Sequence, residues 1–542
     1  MPNNSNTSVL IAGGGPTGLA AALELRRFGI PVRIVDEMEG PTETSRAIAI
    51  QARTLEELEL RGLADEFVRI GHRADGGDIY GGGRLLVHAD FTKLPSRYNF
   101  VLFLAQTVTD RILREALEAH GGSVEWAVKM KAFGQDPSGV TATLEHADGS
   151  LEEVNAAYMI DAEGAHSIIR STLGLQFKGK TLDETFVLGD GHVDGSISSS
   201  NFHIFSSEQG MLALFPMGGG HFWVVADHPL RISAQPEKPT LEELQATYDQ
   251  RSHIPARLQQ LTWSSVFQAN SRMVSTLRVN RIFLAGDAAH IHSPAGGQGM
   301  NTGIQDAMNL GWKLALVLQG KAPENLLDTY GDDRLPVMRS ILSTTEGLTN
   351  ALGGPSILRS FFMHLAPWIA NAEFVQDTAT SRISQIALNY RSSPLSDDHF
   401  GDGSLVAGDR VPDLAVRASA GLQSEIKRAF DLLSSDRFTL LLANFTDPAA
   451  KSKFSESLTP WSELIETSSI SAPDGDDKKP FTEAFGETPS VTLVRPDAYV
   501  GFRGTQSSAD ALSKYCKQWL SCSPEAGRVT GRKAVIKMKL SS

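Results

Sequence analysis

Three glycines near the N-terminus have the spacing that a dinucleotide-binding turn requires. Gly13, Gly15 and Gly18 follow an apolar stretch and open a stretch with helical character. Gly13 permits the tight turn, Gly15 lets the backbone approach a diphosphate, and Gly18 lets the helix pack on the strand. Asp36 closes the next apolar stretch, where its carboxylate can accept hydrogen bonds from ribose hydroxyls. The sequence therefore predicts a dinucleotide site, although these residues alone do not separate FAD from NAD.

A second glycine-rich segment follows an apolar strand in the middle of the chain. The predicted strand, Arg281 to Ala285, ends before Gly286 and Asp287, and a long helix is predicted from Gln298 to Leu318. A carboxylate at the strand end can accept a hydrogen bond from a polyol. Amide N–H groups at the helix start suit the electron-rich pyrimidine edge of a flavin. The candidate binding residues of this segment are Gly286, Asp287, Gly297, Gly299, Met300 and Asn301.

This segment resembles the GD motif of the class A flavoprotein monooxygenases, which share the para-hydroxybenzoate hydroxylase fold. The segment YMIDAEGAHSIIRSTLG is similar to the DG motif of that family, with Asp161, Gly164, Ser167 and Arg170 at motif positions and Glu163 as a departure. The resemblance implies FAD as cofactor and NADPH or NADH as co-substrate. It also implies that Asp161 belongs to the cofactor site.

Two further stretches and one proline match the same family. TSRAIAIQARTLEELELRGL contains Arg46, and FVLFLAQTVTDRILREAL contains Gln106 and Arg111. The resemblance implies that Arg46 lies near the FAD pyrophosphate and that Gln106 and Arg111 meet the ribityl and phosphate region. Taken singly, each of these three could equally be a surface residue. Pro294 matches a proline that the family places by the reactive edge of the flavin, where its fixed φ would shape the loop.

Three later segments resemble the phenol hydroxylase and pentachlorophenol 4-monooxygenase branch. They are YGDDRLP from Tyr330, GDRVPDL from Gly408 and LVRPDAYVGFR from Leu493. That branch has a C-terminal thioredoxin-like domain. Because Cys516 and Cys522 form no CxxC pair, we expect a structural rather than a redox domain, with free thiols in a reducing compartment. The resemblance is compatible with a homodimer.

The order of these elements predicts an α/β fold in which a Rossmann-like FAD-binding domain is interleaved with a β-sheet substrate domain and a separate C-terminal domain follows. The resemblance implies that this last domain is thioredoxin-like. We assign 1–75, 101–180 and 275–330 to the FAD-binding domain, 76–100, 181–274 and 331–395 to the substrate domain and a helical segment, and 404–542 to the C-terminal domain. The polar composition of 467–480 predicts a loop.

The resemblance implies an enzyme in which NAD(P)H reduces the flavin and dioxygen then forms a flavin C4a-hydroperoxide that hydroxylates a phenolic or polyketide-like aromatic substrate. Baeyer-Villiger oxidation and epoxidation use the same flavin motifs and stay open. A non-catalytic flavin protein that binds aromatic compounds is the alternative from another class. Substrate-stimulated consumption of NAD(P)H would exclude that alternative.

The substrate side of the site is less defined by sequence. Its candidate apolar walls are Phe202, Phe205, Leu212, Leu214 and Phe215, of which strand alternation should turn about half toward the pocket. Tyr98, His203 and His221 are candidates for a base that deprotonates a phenol, and each also fits a structural role. No catalytic residue is assigned. His290 and His292 lack further ligands at metal-binding spacing, so no metal site is predicted.

Composition excludes several other classes of protein. The 542 residues carry a formal net charge of −13 and include no basic run, which argues against nucleic acid as a partner. No apolar stretch reaches the roughly 18 residues of a membrane span. The start, MPNNSNTS, is not of signal-peptide type, so we expect a cytoplasmic protein whose partners are a small aromatic substrate, dioxygen and NAD(P)H.

Overall fold

Strand, glycine-rich turn, helix and strand follow one another at the start of the chain, and they form the parallel unit that the sequence predicts. The computed structural model describes residues 4–45, 47–228, 238–292, 297–353, 373–420, 423–521 and 536–539. Asn4–Ala12 pairs in parallel with both Val32–Val35 and Leu151–Asp161, and Pro16–Arg27 is the connecting helix. The α/β class of the fold is confirmed.

The N-terminal sheet contains nine of the described strands. Its main order is Ile536–Lys539, Lys129–Asp136, Gly139–Glu145, Leu151–Asp161, Asn4–Ala12, Val32–Val35 and Val124–Glu125, while Ile282–Leu284 pairs with Leu151–Asp161 and with Arg278–Val279. Because Ala12, Asp161 and Leu284 end parallel strands at the same sheet edge, the three motifs of the predicted cofactor site meet there. The last strand departs from our domain assignment, since 536–539 pairs with Lys129–Asp136 rather than with the C-terminal unit.

The middle sheet covers the predicted substrate side. Its strand order is His290–Ile291, Ala256–Met273, Lys178–Gly195, His221–His228, Gly210–Gly218, Asn201–Ser207, Gly76–Gly81 and Arg84–Asp90. A small sheet of Ala49–Ile50, Val101–Phe103 and His72–Ala74 contacts the strand Gly210–Gly218 of the middle sheet. The short strand His290–Ile291 carries the chain directly from the GD segment to the edge of the middle sheet.

The C-terminal sheet forms a separate unit. Its order is Asp397–Asp398, Val500–Thr505, Ser490–Val494, Phe438–Ala443, Ile465–Ser471, Ala415–Ala420 and Gln423–Arg428. The loop expected over 467–480 is wrong, because this region contains the end of a strand and the start of the helix Lys478–Phe485. Ile470, Phe481 and Phe485 are buried in the core of this unit, and the last two lie just outside the polar window.

The α-helices, apart from those already given, connect and cover these sheets. They are Ala52–Glu59, Ala64–Ile70, Gln106–Ala119, Ile168–Thr172, Leu241–Ser252, Gly299–Leu318, Thr329–Gly353, Glu373–Ile383, Pro448–Ser457 and Ala509–Trp519. We refer to Pro16–Arg27 as the first helix and to Gly299–Leu318 as the long helix, which is buried along most of its length. No helix among the described residues has the length and apolarity needed to cross a membrane.

Candidate active site

The three N-terminal glycines differ in what surrounds them. Gly13 has a φ of +109°, and a Cβ there would lie 2.2 Å from the carbonyl oxygen of Ala162. A Cβ on Gly18 would lie 1.9 Å from the carbonyl oxygen of Gly13. A Cβ on Gly15 would meet no atom of the described protein within 4 Å. Gly13 and Gly18 therefore serve chain packing, whereas Gly15 leaves open space at the start of the first helix, where a diphosphate fits.

Asp36 is held at the end of its strand by backbone donors. The N–H of Gly14 donates to Oδ2 at 2.6 Å, and the N–H of Met38 donates to Oδ1 at 2.8 Å. A carboxylate has about four acceptor positions, so both oxygens can still accept hydroxyl donors. This orientation suits the ribose contact that the sequence predicts.

The DG segment is a tightly bonded turn around a buried carboxyl group. Asp161 accepts a hydrogen bond at 2.7 Å from the Ser167 hydroxyl, while the Glu163 carboxylate accepts from the N–H groups of Ile168 and Ile169. Burial, with Glu163 adding to it, raises the pKa of Asp161 to about 7. The Arg170 guanidinium donates to the carbonyl of Ala288 at 3.0 Å and so ties this segment to the GD segment.

The GD loop packs against the first helix through a threonine. Gly286 has a φ of +59°, and Cβ atoms on Gly286 and Gly303 would lie 2.4 and 2.3 Å from Thr17 Oγ1. The two glycines thus let the loop, the first helix and the long helix approach one another closely. The Asp287 side chain is exposed while its neighbours are buried. Thr17 and Gly303 were not predicted from the sequence. Gly303 could have been found as a glycine in the second turn of the long helix, where a close approach to another segment is expected.

The long helix begins where the sequence predicts, within one residue. Its first backbone hydrogen bond runs from the Thr302 N–H to the Gln298 carbonyl, so the N–H groups of Gly299, Met300 and Asn301 lie before the helical ladder. These are the amides predicted to face the flavin. Gly297 has a φ of +60°, and a Cβ there would lie 2.7 Å from Ala49 Cβ, so the loop before the helix needs glycine.

The side chain of Asn301 holds this helix start against the small sheet. Its amide nitrogen donates to the carbonyls of Ala49 and Gly297, each at 2.8 Å, and its oxygen accepts from the N–H of Gln51 at 2.9 Å. The side chain is therefore occupied by the protein, and any flavin contact of Asn301 is left to its backbone.

The remaining cofactor predictions divide into three groups. Gln106 is half-buried at the start of the helix Gln106–Ala119. Arg111 on the same helix is partly exposed, and its guanidinium pairs with Glu115 at 3.0 Å. Arg46 and Pro294 lie outside the described residues. The phosphate and ribityl contacts of Gln106 and Arg111 stay predictions.

The predicted pocket wall is split between the two faces of the middle sheet. Phe202 and Phe215 lie on the inner face, where both pack near Phe103 of the small sheet. Phe205, Leu212 and Leu214 belong instead to the core on the outer face, beneath the helix Leu241–Ser252. The inner face also carries Trp223 and Trp263, whose rings stack 5.9 Å apart. Those two tryptophans were not singled out from the sequence.

The three candidate bases lie in different surroundings. The Tyr98 hydroxyl donates to Glu59 at 2.5 Å, and burial raises its pKa. His203 bonds to the Ser198 carbonyl on the outer face, and burial lowers its pKa. His221 is two residues before Trp223 and so shares the inner face. Its Nδ1 lies 4.0 Å from Asp190 Oδ1.

His290 lies against a buried carboxylate and a second imidazole. Its Nε2 lies 2.7 Å from the buried Asp306 carboxylate, and its ring stacks on His292. No group of three or more potential ligands occurs among the described residues.

The glycine turn, Asp36, the DG segment and the GD loop carry the residues predicted to bind FAD. The family described as FAD binding domain matches residues 6–345, and the family described as aromatic-ring hydroxylase, C-terminal, matches residues 404–522. The chain belongs to this family of FAD-binding aromatic-ring hydroxylases.

Relatives and solved structures agree with that membership. The 6-methylpretetramide 4-monooxygenase of Streptomyces rimosus is 32% identical over 94% of this chain and 93% of its own. The pentachlorophenol 4-monooxygenase of Sphingobium chlorophenolicum is 34% identical over 82% of this chain and 81% of its own. The solved anhydrotetracycline hydroxylase from Streptomyces rimosus has a TM-score of 0.76 at 26% identity, covering 95% of this chain and 99% of that one. The family resemblance read from the motifs is confirmed, and the protein is an FAD-dependent aromatic monooxygenase.

Proposed function

We propose that the protein hydroxylates a phenolic, polyketide-like aromatic compound bound between FAD and the inner face of the middle sheet, with NADPH or NADH as reductant and dioxygen as oxidant. The observation that carries this proposal is the aromatic surface of that face, where Phe202, Phe215, Trp223 and Trp263 lie together. Flat aromatic rings stack well on such a surface. The relatives named for 6-methylpretetramide and pentachlorophenol support the same class.

Within this proposal, the flavin supplies the activated oxygen and the chain binds, orients and shields the substrate. The GD loop, the DG segment and Asp36 hold FAD, with the remaining predicted cofactor residues completing the site. A cytoplasmic location and a homodimer belong to the proposal as well. The buried thiol of Cys516 is compatible with a reducing compartment.

We propose that His221 accepts the phenol proton and that Asp190 orients it. Asp190 lies directly across the sheet from both Trp223 and Trp263, so its position in the sheet is between those of the two tryptophans. The side chains of His221 and Asp190 are 39% and 33% exposed, so a substrate on the inner face can reach the imidazole. A phenolate is a better nucleophile than a phenol, which is why a base near the substrate oxygen would speed oxygen transfer.

The experiment follows NADPH and NADH oxidation, oxygen uptake and product mass with a panel of phenols and polycyclic phenols. A product heavier by one oxygen on a ring carbon is expected. A ring-expanded lactone or an epoxide would contradict hydroxylation, and flavin reduction that ignores every aromatic compound would contradict the aromatic substrate.

The base is tested by His221→Asn, with His146→Asn as the matched control because His146 also pairs with a carboxylate, Glu152, at a remote surface. We expect His221→Asn to lower kcat by about 10- to 100-fold with ordinary phenols. The loss should shrink with acidic phenols that are already ionised at the assay pH. An equal loss for acidic and ordinary phenols would exclude the proton-accepting role.

A further inference from the structure

A buried chain of polar contacts leads away from the GD loop. The Gly286 N–H donates to Asp306 Oδ2 at 3.1 Å. The other oxygen of that carboxylate accepts from Arg334 Nε at 2.7 Å. Arg334 Nη1 donates to the Tyr390 hydroxyl at 2.9 Å. Asp306 and Arg334 have no exposed side-chain surface, so water cannot substitute for any of these partners.

This series of hydrogen bonds ends at Tyr390, which packs on the C-terminal unit. The Tyr390 ring packs on the Tyr499 ring with centroids 4.0 Å apart, and the Arg495 guanidinium lies 5.0 Å from the centre of the Tyr390 ring. The Tyr390 N–H also donates to the Gly408 carbonyl at 2.7 Å. Tyr499 and Arg495 belong to the segment that connects two strands of the C-terminal sheet. That segment therefore fixes the position of the Tyr390 hydroxyl.

Arg334 also reaches the start of the long helix. Its Nη2 donates to the carbonyl of Thr302 at 3.1 Å, in the first turn of that helix. One planar guanidinium thus bonds both Asp306, which holds the GD loop, and the helical turn whose amides are predicted to face the flavin. The two parts of the FAD site are aligned by the same side chain.

We propose that Arg334 and Tyr390 are positioning residues for FAD, and that the C-terminal unit acts through them to fix the Gly286 loop. Neither residue is among those predicted to contact the cofactor. The C-terminal unit would thereby contribute to cofactor affinity from behind the long helix, independently of which substrate the enzyme oxidises.

The test compares two Tyr→Phe variants that each remove one buried hydroxyl. Tyr390→Phe removes the group that accepts from Arg334 and keeps the ring against Tyr499. Tyr515→Phe is the matched control, because its hydroxyl donates to the Leu395 carbonyl at 2.9 Å and takes no part in the hydrogen bonds that lead to Gly286. FAD affinity is measured by titration of the apoprotein, and hydrogen exchange is measured for a peptide covering residues 282–292.

We expect Tyr390→Phe to raise the Kd for FAD by roughly 5- to 20-fold and to speed exchange in that peptide, because Arg334, which bonds Asp306, loses the hydroxyl that fixes its position. Tyr515→Phe should change both the Kd and the exchange rate by less than about twofold. The two variants should lower the Tm by similar amounts, since each removes one buried hydroxyl. Equal effects of the two variants would overturn the proposal. If Tyr390→Phe does not fold, Arg334→Lys decides by the same two readouts, since lysine keeps the charge but cannot bond Asp306, Tyr390 and Thr302 together. Neither readout needs turnover, so the proposed substrate can fail independently.

Discussion

The two halves of the long helix are built on different physical principles. Its N-terminal half contains Gly303, where a Cβ would lie 2.3 Å from Thr17 Oγ1, so the lack of a side chain lets the helix approach the first helix closely. Its C-terminal half uses large polar side chains, and Lys313 bonds the buried Asp333 at 2.7 Å. The Trp312 indole donates to Asp497 of the C-terminal unit at 3.2 Å. A cofactor needs open space and backbone donors, whereas a dry interface between units needs charges that are fully paired.

This contrast separates two kinds of mutational effect. Changes on the cofactor side should weaken FAD binding with little loss of folding stability. Changes on the interface side should destabilise the fold with little loss of FAD affinity. The Arg334–Tyr390 contacts are the exception that the structure provides, since they join the two sides.

The largest expected effect is on stability, at the interface carboxylate Asp413. Its fully buried side chain accepts from Arg97 Nε at 2.8 Å and from Arg428 Nε at 2.9 Å. Asp413→Ala should lower the free energy of unfolding by about 3 kcal/mol, because it removes the buried acceptor of both guanidinium groups and of the Phe430 N–H. Urea unfolding measures this loss.

The matched control is Asp474→Ala, which breaks an exposed pair with Arg417 and should cost less than about 1 kcal/mol. FAD affinity should stay within about threefold of the wild type for both variants, by the additivity of distant sites. A marked loss of FAD affinity in Asp413→Ala would break the separation between the two sides.

On the cofactor side, Gly15→Ala tests whether the open space belongs to the diphosphate. Alanine is compatible with the backbone at Gly15, which has φ −77°. We therefore expect little change in stability and a rise in the Kd for FAD of about 100-fold, because the new methyl group would occupy the space that the diphosphate needs. Equilibrium titration of the apoprotein with FAD measures the change.

Two other glycines show whether that result is specific. Gly18→Ala should unfold the turn itself, since its Cβ would clash with the Gly13 carbonyl oxygen. Gly331→Ala lies in the helix Thr329–Gly353, where a Cβ would meet nothing nearer than 3.9 Å, so FAD affinity should be unchanged. A stable Gly15→Ala variant with normal FAD affinity would place the diphosphate elsewhere.

The sequence predicts the cofactor side better than the interface. Glycine spacing is a local signal, so Gly13, Gly15 and Gly18 could be assigned from their order before a helix. The FAD motifs likewise placed Gly286 and Gly297 in turns, and both have a positive φ. The roles of Tyr390 and Arg334 could not be predicted from local spacing. Arg334 is 56 residues from Tyr390 and 28 residues from Asp306, and only the fold brings the three together.

The substrate face shows a second limit of sequence reasoning. Phe205 and Leu212, like Phe202, are large apolar residues in predicted strands. Only the pairing of the strands decides which face of the sheet each side chain takes. Asp190 gave no signal of its own, because its position between two tryptophans depends on strands that are separated by more than thirty residues. The family motifs cover the flavin site only, so the arrangement of the substrate face could be read only from the structure.

The smallest predicted effect is a pH dependence at Asp110, a cofactor-side residue that should influence stability. Asp110 lies one turn after Gln106 and is 5% exposed, and its Oδ1 has no hydrogen-bond partner among the described residues. Burial raises the pKa of this carboxyl group to about 7. The folded protein therefore keeps the proton that the unfolded chain releases near pH 4, and folding stability falls as the pH rises from about 4 to 7.

Asp110→Asn removes this titration. The variant should match the wild type near pH 4 and exceed its free energy of unfolding by on the order of 2 kcal/mol at pH 8, where burying the wild-type carboxylate costs most. Urea unfolding of the apoprotein at pH 5, 6, 7 and 8 measures the difference, with the exposed Asp474→Asn as control. Parallel curves for wild type and Asp110→Asn would mean that the carboxylate finds a partner in the folded state. Asp110 would then impose no charge penalty on the cofactor side.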